Sequence, residues 1–406
     1  MMPSAGTDTG QARQSLSAGW RGFIVLLALA LCGCASPSIN TRAISGLAPL
    51  QLDGRSLAAA QAQDHVVRPD LLYLDEPMRE FVTRYTADLA NKRARLMSLH
   101  QAVRGAGTLN MQYEPFAEGT AQEVFHRGTA NCLSYANLFI ALAREAGLQA
   151  SYQWQEVRPQ WSKVSDQVQI GLHVNVVVKL SGGKRFMVDI DPLPSRDITD
   201  SQELTDAEAE ALYYNNIAMQ ALGNEDLENA WYYVVRALQL GPDMPFLWVN
   251  LGAVYRNSGQ HREAEQSYLQ ALELDFTQYS AMTNLAVLYK LEGRMDEQQY
   301  WLDKAAYHRE SNPYYHAWQG DEAAARGDWE AALQHYNRAV TLLPRDSQLL
   351  YARGMIYYRL NDLADAAVNI QKAIELATLH SDLAYYRLQL QEVKRAQLAG
   401  DGASTL

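Results

Sequence analysis

Apolar residues between positions 70 and 200 change once from a helical to a strand-like spacing. The helical spacing of three and four residues recurs at Met78, Phe81, Val82, Tyr85 and Leu89. Two further helical stretches follow between 120 and 147, where Gly147 ends the second. Short β-like runs then cover 150–155, 173–180 and 185–190, and a Gly-Gly turn between the last two predicts a hairpin. Helices followed by antiparallel strands predict a compact α+β domain over 69–200.

From residue 206 onward the apolar pattern is helical throughout and repeats every 34 residues. One repeating column consists of Ala237, Ala271, Ala305, Ala339 and Ala373. Two other columns hold Gly259, Gly293, Gly327 and Asn361, and Ala218, Gly252, Ala286, Gly320 and Gly354. This period closely resembles that of tetratricopeptide repeats, and small residues at these columns let paired helices approach closely. The resemblance predicts five repeats over 207–380, with a capping helix and tail over 381–406. Gln298 departs from the pattern in the third repeat.

The N-terminal residues combine basic, apolar and small residues in the order of a secretion signal. Arg13 and Arg21 precede an apolar run over 22–34, which is too short to cross a bilayer as a helix. The run ends in Leu-Cys-Gly-Cys34, which resembles the lipobox of bacterial lipoproteins. That resemblance implies that 1–33 is a signal peptide, that Cys34 carries a lipid, and that the protein is anchored in the bacterial outer membrane on its periplasmic face. An unlipidated secretory signal is the alternative. Residues 34–68 are predicted to form a tether.

Charge and cysteine content narrow the classes of partner. The net charge is −11, and the chain from Cys34 onward would carry −12, because 1–33 hold two arginines and one aspartate. This acidity disfavours binding to nucleic acid and to anionic membrane surfaces, so the lipid is the expected link to the membrane. Cys32 would leave with the signal and Cys34 would be lipidated. Cys132 then remains without a partner in an oxidising compartment, which favours a chemical role for it.

The sequence around Cys132 has the features of a reactive thiol site. Cys132 follows a Gly-Thr-Ala-Asn loop at the start of a predicted helix, and a helix N-terminus and a nearby imidazolium both favour the thiolate. His173 on a downstream strand is the candidate base, and an aspartate on the next strand would orient it. Asp189 and Asp191 lie two residues apart, hence on one face of a continuing strand, and both are candidates for that role. The backbone N–H of Cys132 is one candidate oxyanion donor.

These residues resemble the nucleophile, histidine and acidic motifs of transglutaminase-like domains. The match is carried by the Cys132 loop and helix, by Gly-Leu-His173-Val-Asn-Val and by Arg-Phe-Met-Val-Asp189-Ile-Asp191-Pro. The resemblance implies an α+β transglutaminase-like cysteine-hydrolase domain followed by an all-α tetratricopeptide solenoid, with Cys132, His173 and Asp189 as catalytic residues.

Several other interpretations of individual residues remain open beside the catalytic site. Gln122 and Asn131 are weak candidates for the second oxyanion donor. Cys132 could instead be a buried small apolar residue, and His173 a half-buried strand histidine. A zinc site built from these groups is disfavoured because no paired ligand spacing is present, and the sequence indicates no cofactor. Trp154 and Trp161 would flank a substrate cleft or cover the core.

The resemblance to tetratricopeptide repeats implies that the first helix of each repeat, helix A, lines a concave groove suited to an extended protein or peptide segment. The expected groove residues are Phe246, Val249, Arg256, Asn257, Lys290, Tyr314, Tyr351, Met355, Tyr358 and Arg359. Alternatively, the aromatic residues among them pack against the first domain or the capping helix.

Two hypotheses of function follow. The first is a lipid-anchored thiol enzyme, a cysteine peptidase or amidase that cleaves amide bonds of a protein or peptide recruited by the repeats. Hydrolysis is favoured over cross-linking, because nothing in the sequence marks a site for a second, amine substrate. The alternative is a non-catalytic repeat scaffold whose transglutaminase-like domain is structural.

Overall fold

The computed structural model describes residue 44 and residues 46–157, 160–161, 168–169, 172–183, 185–192, 198–377 and 380–403. The predicted signal peptide and Cys34 lie outside the described residues. Within the described ranges, none of the helices combines the length and the apolar content needed to cross a membrane.

The chain first forms a small hairpin rather than an extended tether. Strand β1 (Leu50–Leu52) pairs antiparallel with β2 (Arg55–Leu57), and a 3-10 turn (Ala59–Gln61) and the short helix α1 (Ala62–His65) follow. Leu50 and Leu57 are buried, so the hairpin contributes apolar surface to the core.

This hairpin packs on the repeats far along the chain. The Tyr255 hydroxyl donates to the Ala48 carbonyl at 2.5 Å, and the Gln51 amide N–H donates to Gln260 Oε1 at 2.7 Å. Residues 48 and 51, within the segment predicted as a tether, are therefore bound to the repeat array by hydrogen bonds.

Four helices build the helical part of the α+β domain: α2 (Glu76–Thr86), α3 (Lys92–Arg104), α4 (Ala121–Arg127) and α5 (Cys132–Glu145). Their N-terminal ends are capped by side chains. Thr120 and Glu123, for example, form a capping box at α4 that satisfies N–H groups with no partner inside the helix. Helix α5 is buried along most of its length and ends at Gly147, whose φ is +74°.

A four-stranded antiparallel sheet packs on α5, in the order β10-β5-β8-β9. The strands of the domain are β3 (Gln112–Tyr113), β4 (Thr129–Ala130), β5 (Gln149–Val157), β6 (Gln160–Trp161), β7 (Val168–Gln169), β8 (Leu172–Lys179), β9 (Arg185–Val188) and β10 (Ile198–Leu204). The predicted hairpin is present as β8 and β9. The edge strand β10 was not predicted, since its polar sequence carries little apolar alternation.

From residue 206 the described part of the chain forms five successive helix pairs and one final helix. The helices are α6 (Asp206–Gly223), α7 (Leu227–Leu240), α8 (Pro245–Asn257), α9 (His261–Leu274), α10 (Tyr279–Leu291), α11 (Met295–Ser311), α12 (Pro313–Ala325), α13 (Trp329–Leu342), α14 (Ser347–Arg359), α15 (Leu363–Leu376) and α16 (His380–Ala403). Close packing of paired helices explains why the repeating column of Gly252 and Gly320 holds small residues. A Cβ at Gly252 would lie 2.5 Å from the Tyr268 ring, and a Cβ at Gly320 would lie 2.7 Å from the Tyr336 ring. The predicted fold class is confirmed.

The apolar core is divided within the repeats. One core runs from the N-terminal hairpin through the α+β domain to Tyr289 on α10, and a second begins at Ala317 on α12. Helix α11, which lies between them and contains the unusual Gln298, buries only Ala305 among its apolar residues. The first two repeats, helix α10 of the third and the α+β domain therefore share one core.

Candidate active site

Cys132 is the first residue of α5, and its position is fixed by a capped helix start. Asn131 Oδ1 accepts from the Ser134 backbone N–H at 2.9 Å, and the Ser134 hydroxyl donates to the Ala117 carbonyl at 2.7 Å. Cys132 is partly exposed while its neighbours on α5 are buried. The thiol therefore lies at the positive end of a helix dipole with access to solvent.

His173 and Asp189 meet on one face of the sheet. The register of β8 and β9 pairs Val176 with Val188 and so places Asp189 diagonally opposite His173. His173 Nε2 lies 2.5 Å from Asp189 Oδ2, and both side chains are buried. His173 also lies close enough to Cys132 for that residue to raise its pKa. The structure thus brings Cys132, His173 and Asp189 together.

Asp191, the alternative to Asp189, is placed differently. Its side chain is exposed, and its backbone N–H donates to Asp189 Oδ1 at 3.1 Å. Arg104 at the end of α3 also supports this strand end, since its guanidinium donates to the carbonyls of Asp189, at 3.0 Å, and Ile190. Arg104 could not be identified from the sequence, because 85 residues separate it from Asp189.

The electrostatics favour a protonated imidazole. Burial alone would lower the pKa of His173, but the hydrogen bonds and negative charge of Asp189 and Cys132 outweigh it and raise that pKa to about 10. At neutral pH the site therefore holds an imidazolium between a carboxylate and a sulfur atom, an arrangement that stabilises a thiolate.

This pKa predicts how the stability of the protein changes with pH. The unfolded chain has an ordinary histidine pKa of about 6.5, so the folded state binds the proton more tightly. The stabilisation from His173 should be complete below pH 6.5 and lost as the pH rises towards about 10. We expect the difference in Tm between the wild type and His173→Gln to shrink steadily between pH 6.5 and 10. A difference that stays constant over this range would show that the imidazole is neutral in the folded protein.

The two side chains proposed as oxyanion donors are engaged elsewhere. Gln122 Nε2 donates to Asp75 Oδ2 at 3.1 Å, and Asn131 Nδ2 donates to Glu118 Oε1 at 2.6 Å. The structure instead places Tyr113 beside the thiol: both residues line the same cleft, and Cys132 adds to the effect of burial on the pKa of Tyr113.

Tyr113 reaches Cys132 through a short parallel strand pair. Strand β3 pairs with β4 in a register that matches Tyr113 with Ala130, two residues before Cys132. Burial and the negative charge of Cys132 raise the pKa of Tyr113, so its hydroxyl keeps its proton and can donate it. Two-residue strands leave no apolar pattern in the sequence, which is why this residue was missed.

The thiol opens onto a cleft of about 440 Å³, within the size range of ligand pockets. Its lining from the α+β domain is Tyr113, Pro115, Phe116, Glu118, Asn131, Cys132, Leu133 and Val174. Its lining from α6 is Leu212, Asn215, Asn216, Met219 and Gln220. Helix α6 is tied to α5 by a bidentate pair between Arg144 and Asp206, with N–O distances of 2.6 and 2.9 Å. The first repeat helix is therefore one wall of the cleft.

Several of the expected groove residues have partners inside the chain. Phe246 packs on Trp154 of β5 with ring centroids 5.2 Å apart, and Tyr351 stacks on Tyr386 of α16 at 4.4 Å. Hydrogen bonds join Arg256 to Asn284, Asn257 to the Ala253 carbonyl and Tyr314 to Asp346. The Arg359 guanidinium lies over the Trp329 ring. Lys290 is exposed, and Val249 is buried. Phe246 and Tyr351 thus also connect the repeats to the first domain and to the last helix.

The fold and the thiol site define a transglutaminase-like protein extended by helical repeats, and comparison with known families agrees. The model of the transglutaminase-like superfamily matches residues 79–190, and tetratricopeptide-repeat models match 245–277, 320–361 and 347–378. The chain belongs to the tetratricopeptide-repeat proteins and carries a transglutaminase-like core domain.

The individual relatives and solved structures described next each match less than half of this chain. The photosystem I assembly protein Ycf3 of Synechococcus elongatus is 33% identical over 142 residues, which is 34% of this chain and 69% of Ycf3. Ycf3 of Cuscuta gronovii is 28% identical over 140 residues, 34% of this chain and 70% of the relative. The structure of MamA from Desulfovibrio magneticus is 19% identical and covers 42% of this chain and 96% of its own, with a TM-score of 0.24. The structure of YrrB, described as a tetratricopeptide-repeat protein with an unusual peptide-binding site, is 20% identical. It covers 44% of this chain and 91% of its own, with a TM-score of 0.23.

Proposed function

We propose that this protein is a repeat scaffold that binds a protein or peptide and presents its amide bonds to a thiol site in the transglutaminase-like domain. The observation that carries the proposal is the contact of Cys132 with His173, which is itself paired with Asp189 at 2.5 Å, at the edge of a cleft with a repeat helix as one wall. Relatives named as assembly proteins support the binding part of this proposal.

The chemistry follows from the charges at the site. The Cys132 thiolate attacks the amide carbonyl and forms a C–S bond, while the backbone N–H of Cys132 and the Tyr113 hydroxyl face the developing oxyanion. The His173 imidazolium gives its proton to the leaving nitrogen as the C–N bond breaks. Water then attacks the thioester, His173 takes its proton, and the thiolate leaves. Asp189 keeps its charge and holds the imidazole in place throughout.

The cellular setting forms a further part of the proposal. A lipid on Cys34 would anchor the protein to the periplasmic face of the outer membrane, and the substrate would then be a protein or peptide of the cell envelope. Hydrolysis remains the preferred outcome over transfer to an amine.

A non-catalytic scaffold is the second candidate. The repeat relatives, described by name as assembly proteins, favour it. In that case the buried His173–Asp189 pair would serve only to stabilise the sheet.

The reactivity of Cys132 towards iodoacetamide distinguishes the two candidates. Alkylation in the wild type should remain fast from pH 8 down to pH 6, because the imidazolium stabilises the thiolate. In His173→Ala an ordinary thiol with a pKa near 8.5 would react roughly 100-fold more slowly at pH 6. Mass spectrometry of peptides separates Cys132 from Cys32 and Cys34.

The matched control is His126→Ala, because His126 Nε2 also pairs with an aspartate, Asp75 Oδ2 at 2.6 Å. This variant should keep the wild-type profile. A wild-type rate that climbs steeply between pH 7 and 9, in parallel with His173→Ala, would favour the non-catalytic scaffold.

A further inference from the structure

The α+β domain carries a hairpin that lies outside its four-stranded sheet. Strands β6 and β7 come between β5 and β8 in the chain, and they pair with each other, with Trp161 opposite Val168. The sheet does not require this hairpin, because β5 and β8 already pair as far as Glu156 and Leu172, and two residues could join their ends. The hairpin β6–β7 therefore needs an explanation outside the sheet.

This part of the domain meets the repeats at two places. Trp154 on β5 packs on Phe246 of α8, with the ring centroids 5.2 Å apart. Further along the chain, β6 approaches α12, with Cα atoms of the two elements within 8 Å of each other. Helices α8 and α12 are the first helices of the second and fourth repeats. Strands β5 and β6 thus contact the array two repeats apart.

The helices contacted are of the kind predicted to line the partner groove. Helix α6 lies beside α8, and α8 lies beside α10, so first helices of successive repeats form one layer. Tyr314 of α12 stands 68 residues after Phe246, which is two periods of 34, and so occupies the same position in its repeat. Trp318 and Asp321 follow Tyr314 at spacings of four and three, so the three residues share one face of the helix. These three residues define the α12 face.

The hairpin β6–β7 also connects the two apolar cores. Ala317 and Ala323 place α12 in the second core, whereas Tyr152 of β5 and Val176 of β8 belong to the first. Helix α11, between the two cores, buries only Ala305 among its apolar residues. The contact of β6 with α12 therefore bridges a junction with little apolar packing, and a competing polypeptide could replace it without opening either core.

The segment 158–170, which includes both strands of the hairpin, differs in charge from the rest of the protein. It contains Arg158, Lys163 and Asp166, a net charge of +1, whereas the whole chain carries −11. Its apolar residues are separated by polar ones, as in segments that bind in an extended form. The segment thus has the chemistry of a partner for an acidic repeat array.

We propose that the hairpin β6–β7 is the resident occupant of the α12 face, and that an external extended polypeptide must displace it to be captured there. The inference rests on the binding part of the proposed function and adds its regulation, because the chain itself blocks part of its capture surface. A tethered competitor has an effective concentration of roughly 1 mM, so it weakens the binding of a free segment with a Kd of about 0.1 mM by about tenfold.

Deletion of the hairpin, with the excised segment supplied as a free peptide, tests this competition. In the deletion variant, Asn-Gly replaces residues 158–170 and joins Val157 to Gly171 as a two-residue turn that suits the pairing of β5 with β8. The probe is a fluorescein-labelled synthetic peptide of residues 158–170, and fluorescence anisotropy measures its Kd for the full-length protein with and without the hairpin. We expect the peptide to bind the deletion variant at least about tenfold more tightly than the wild type.

A second variant and matched controls locate the effect. Trp161→Pro keeps the chain length but disfavours the pairing of β6 with β7, because proline lacks an N–H, and it should also tighten peptide binding. Trp318→Ala added to the deletion variant should abolish the gain, whereas Tyr307→Ala, at a residue 69% exposed on α11, should preserve it. Trp318 is not among the described residues that line the Cys132 cleft, so peptide bound in that cleft would be unaffected. A scrambled peptide of the same composition should show no preference for the deletion variant.

Equal Kd values for the wild type and the deletion variant overturn the inference, and so does a peptide that binds neither protein. A gain that survives Trp318→Ala also overturns it, because the peptide would then bind away from the α12 face.

The thiol chemistry is measured separately. Iodoacetamide should alkylate Cys132 at pH 6 equally fast in the wild type and the deletion variant, which also shows that the shortened protein is folded. If the reaction is lost in the deletion variant alone, the Kd of Trp161→Pro decides the inference by the same measure. If Cys132 reacts slowly in both proteins, the thiol part of the proposed function fails, whereas a tenfold gain in peptide binding still supports the internal competitor.

Discussion

Replacing Asp189 with alanine should lower the free energy of unfolding by about 3–5 kcal/mol at pH 6, the usual cost of removing one partner from a buried ion pair. His173 would keep its buried position but lose the carboxylate that lies 2.5 Å from its Nε2, so its pKa should fall from about 10. Urea unfolding at pH 6 measures the loss. Alkylation of Cys132 at pH 6 should slow in the same variant, because the imidazole would no longer be charged.

Asp191→Ala is the matched control, since Asp191 lies two residues further on and its side chain is exposed. Its unfolding free energy should change by less than about 0.5 kcal/mol. Equal losses in the two variants would mean that the carboxylate of Asp189 has no special electrostatic role, and the proposed mechanism would lose its third residue.

Replacing Trp231 with alanine should destabilise the protein by about 3–5 kcal/mol, the range expected for removing a buried aromatic side chain. Trp231 lies on α7, is 0% exposed and packs on Tyr255 with ring centroids 5.1 Å apart. The core that it fills also contains the apolar side of α5. The loss should therefore reach the thiol site: circular dichroism and the pH 6 reactivity of Cys132 should be lost at the same, lower urea concentration.

Phe276→Ala provides the comparison, because Phe276 is 74% exposed in the same repeat array. Its effect should stay within about 0.5 kcal/mol. If Trp231→Ala unfolded the repeats while Cys132 kept its wild-type reactivity, the first repeats and the α+β domain would be independent cooperative units, contrary to the shared core.

The repeats could be predicted because residues close together in the sequence define each helix pair and the same pattern recurs. Ala271 and its equivalents recur every 34 residues, and each indicates the same close helix crossing, so the repetition strengthens a pattern that is weak in any single repeat. The pairing of His173 with a carboxylate was also predictable, because both residues lie on neighbouring strands joined by a Gly-Gly turn. The choice between Asp189 and Asp191 depended on strand register, which the spacing alone left open.

The rest of the site depends on contacts between distant parts of the chain. Glu118 and Asn216 are separated by 98 residues, and nothing in either local sequence indicates that their side chains meet. Tyr113 reaches the thiol through a two-residue strand, which is too short to produce a periodic pattern. The N-terminal hairpin is a similar case, because its partners lie about 200 residues downstream.

The division of the core at α11 has a consequence for how such a protein diversifies. Residues from 313 onward form a core of their own and meet the preceding repeats through a helix that buries one apolar side chain. Natural or engineered recombination at this junction could exchange, lengthen or shorten the C-terminal array and leave the cleft beside Cys132 unchanged. The number of C-terminal repeats could then vary without altering the α+β domain.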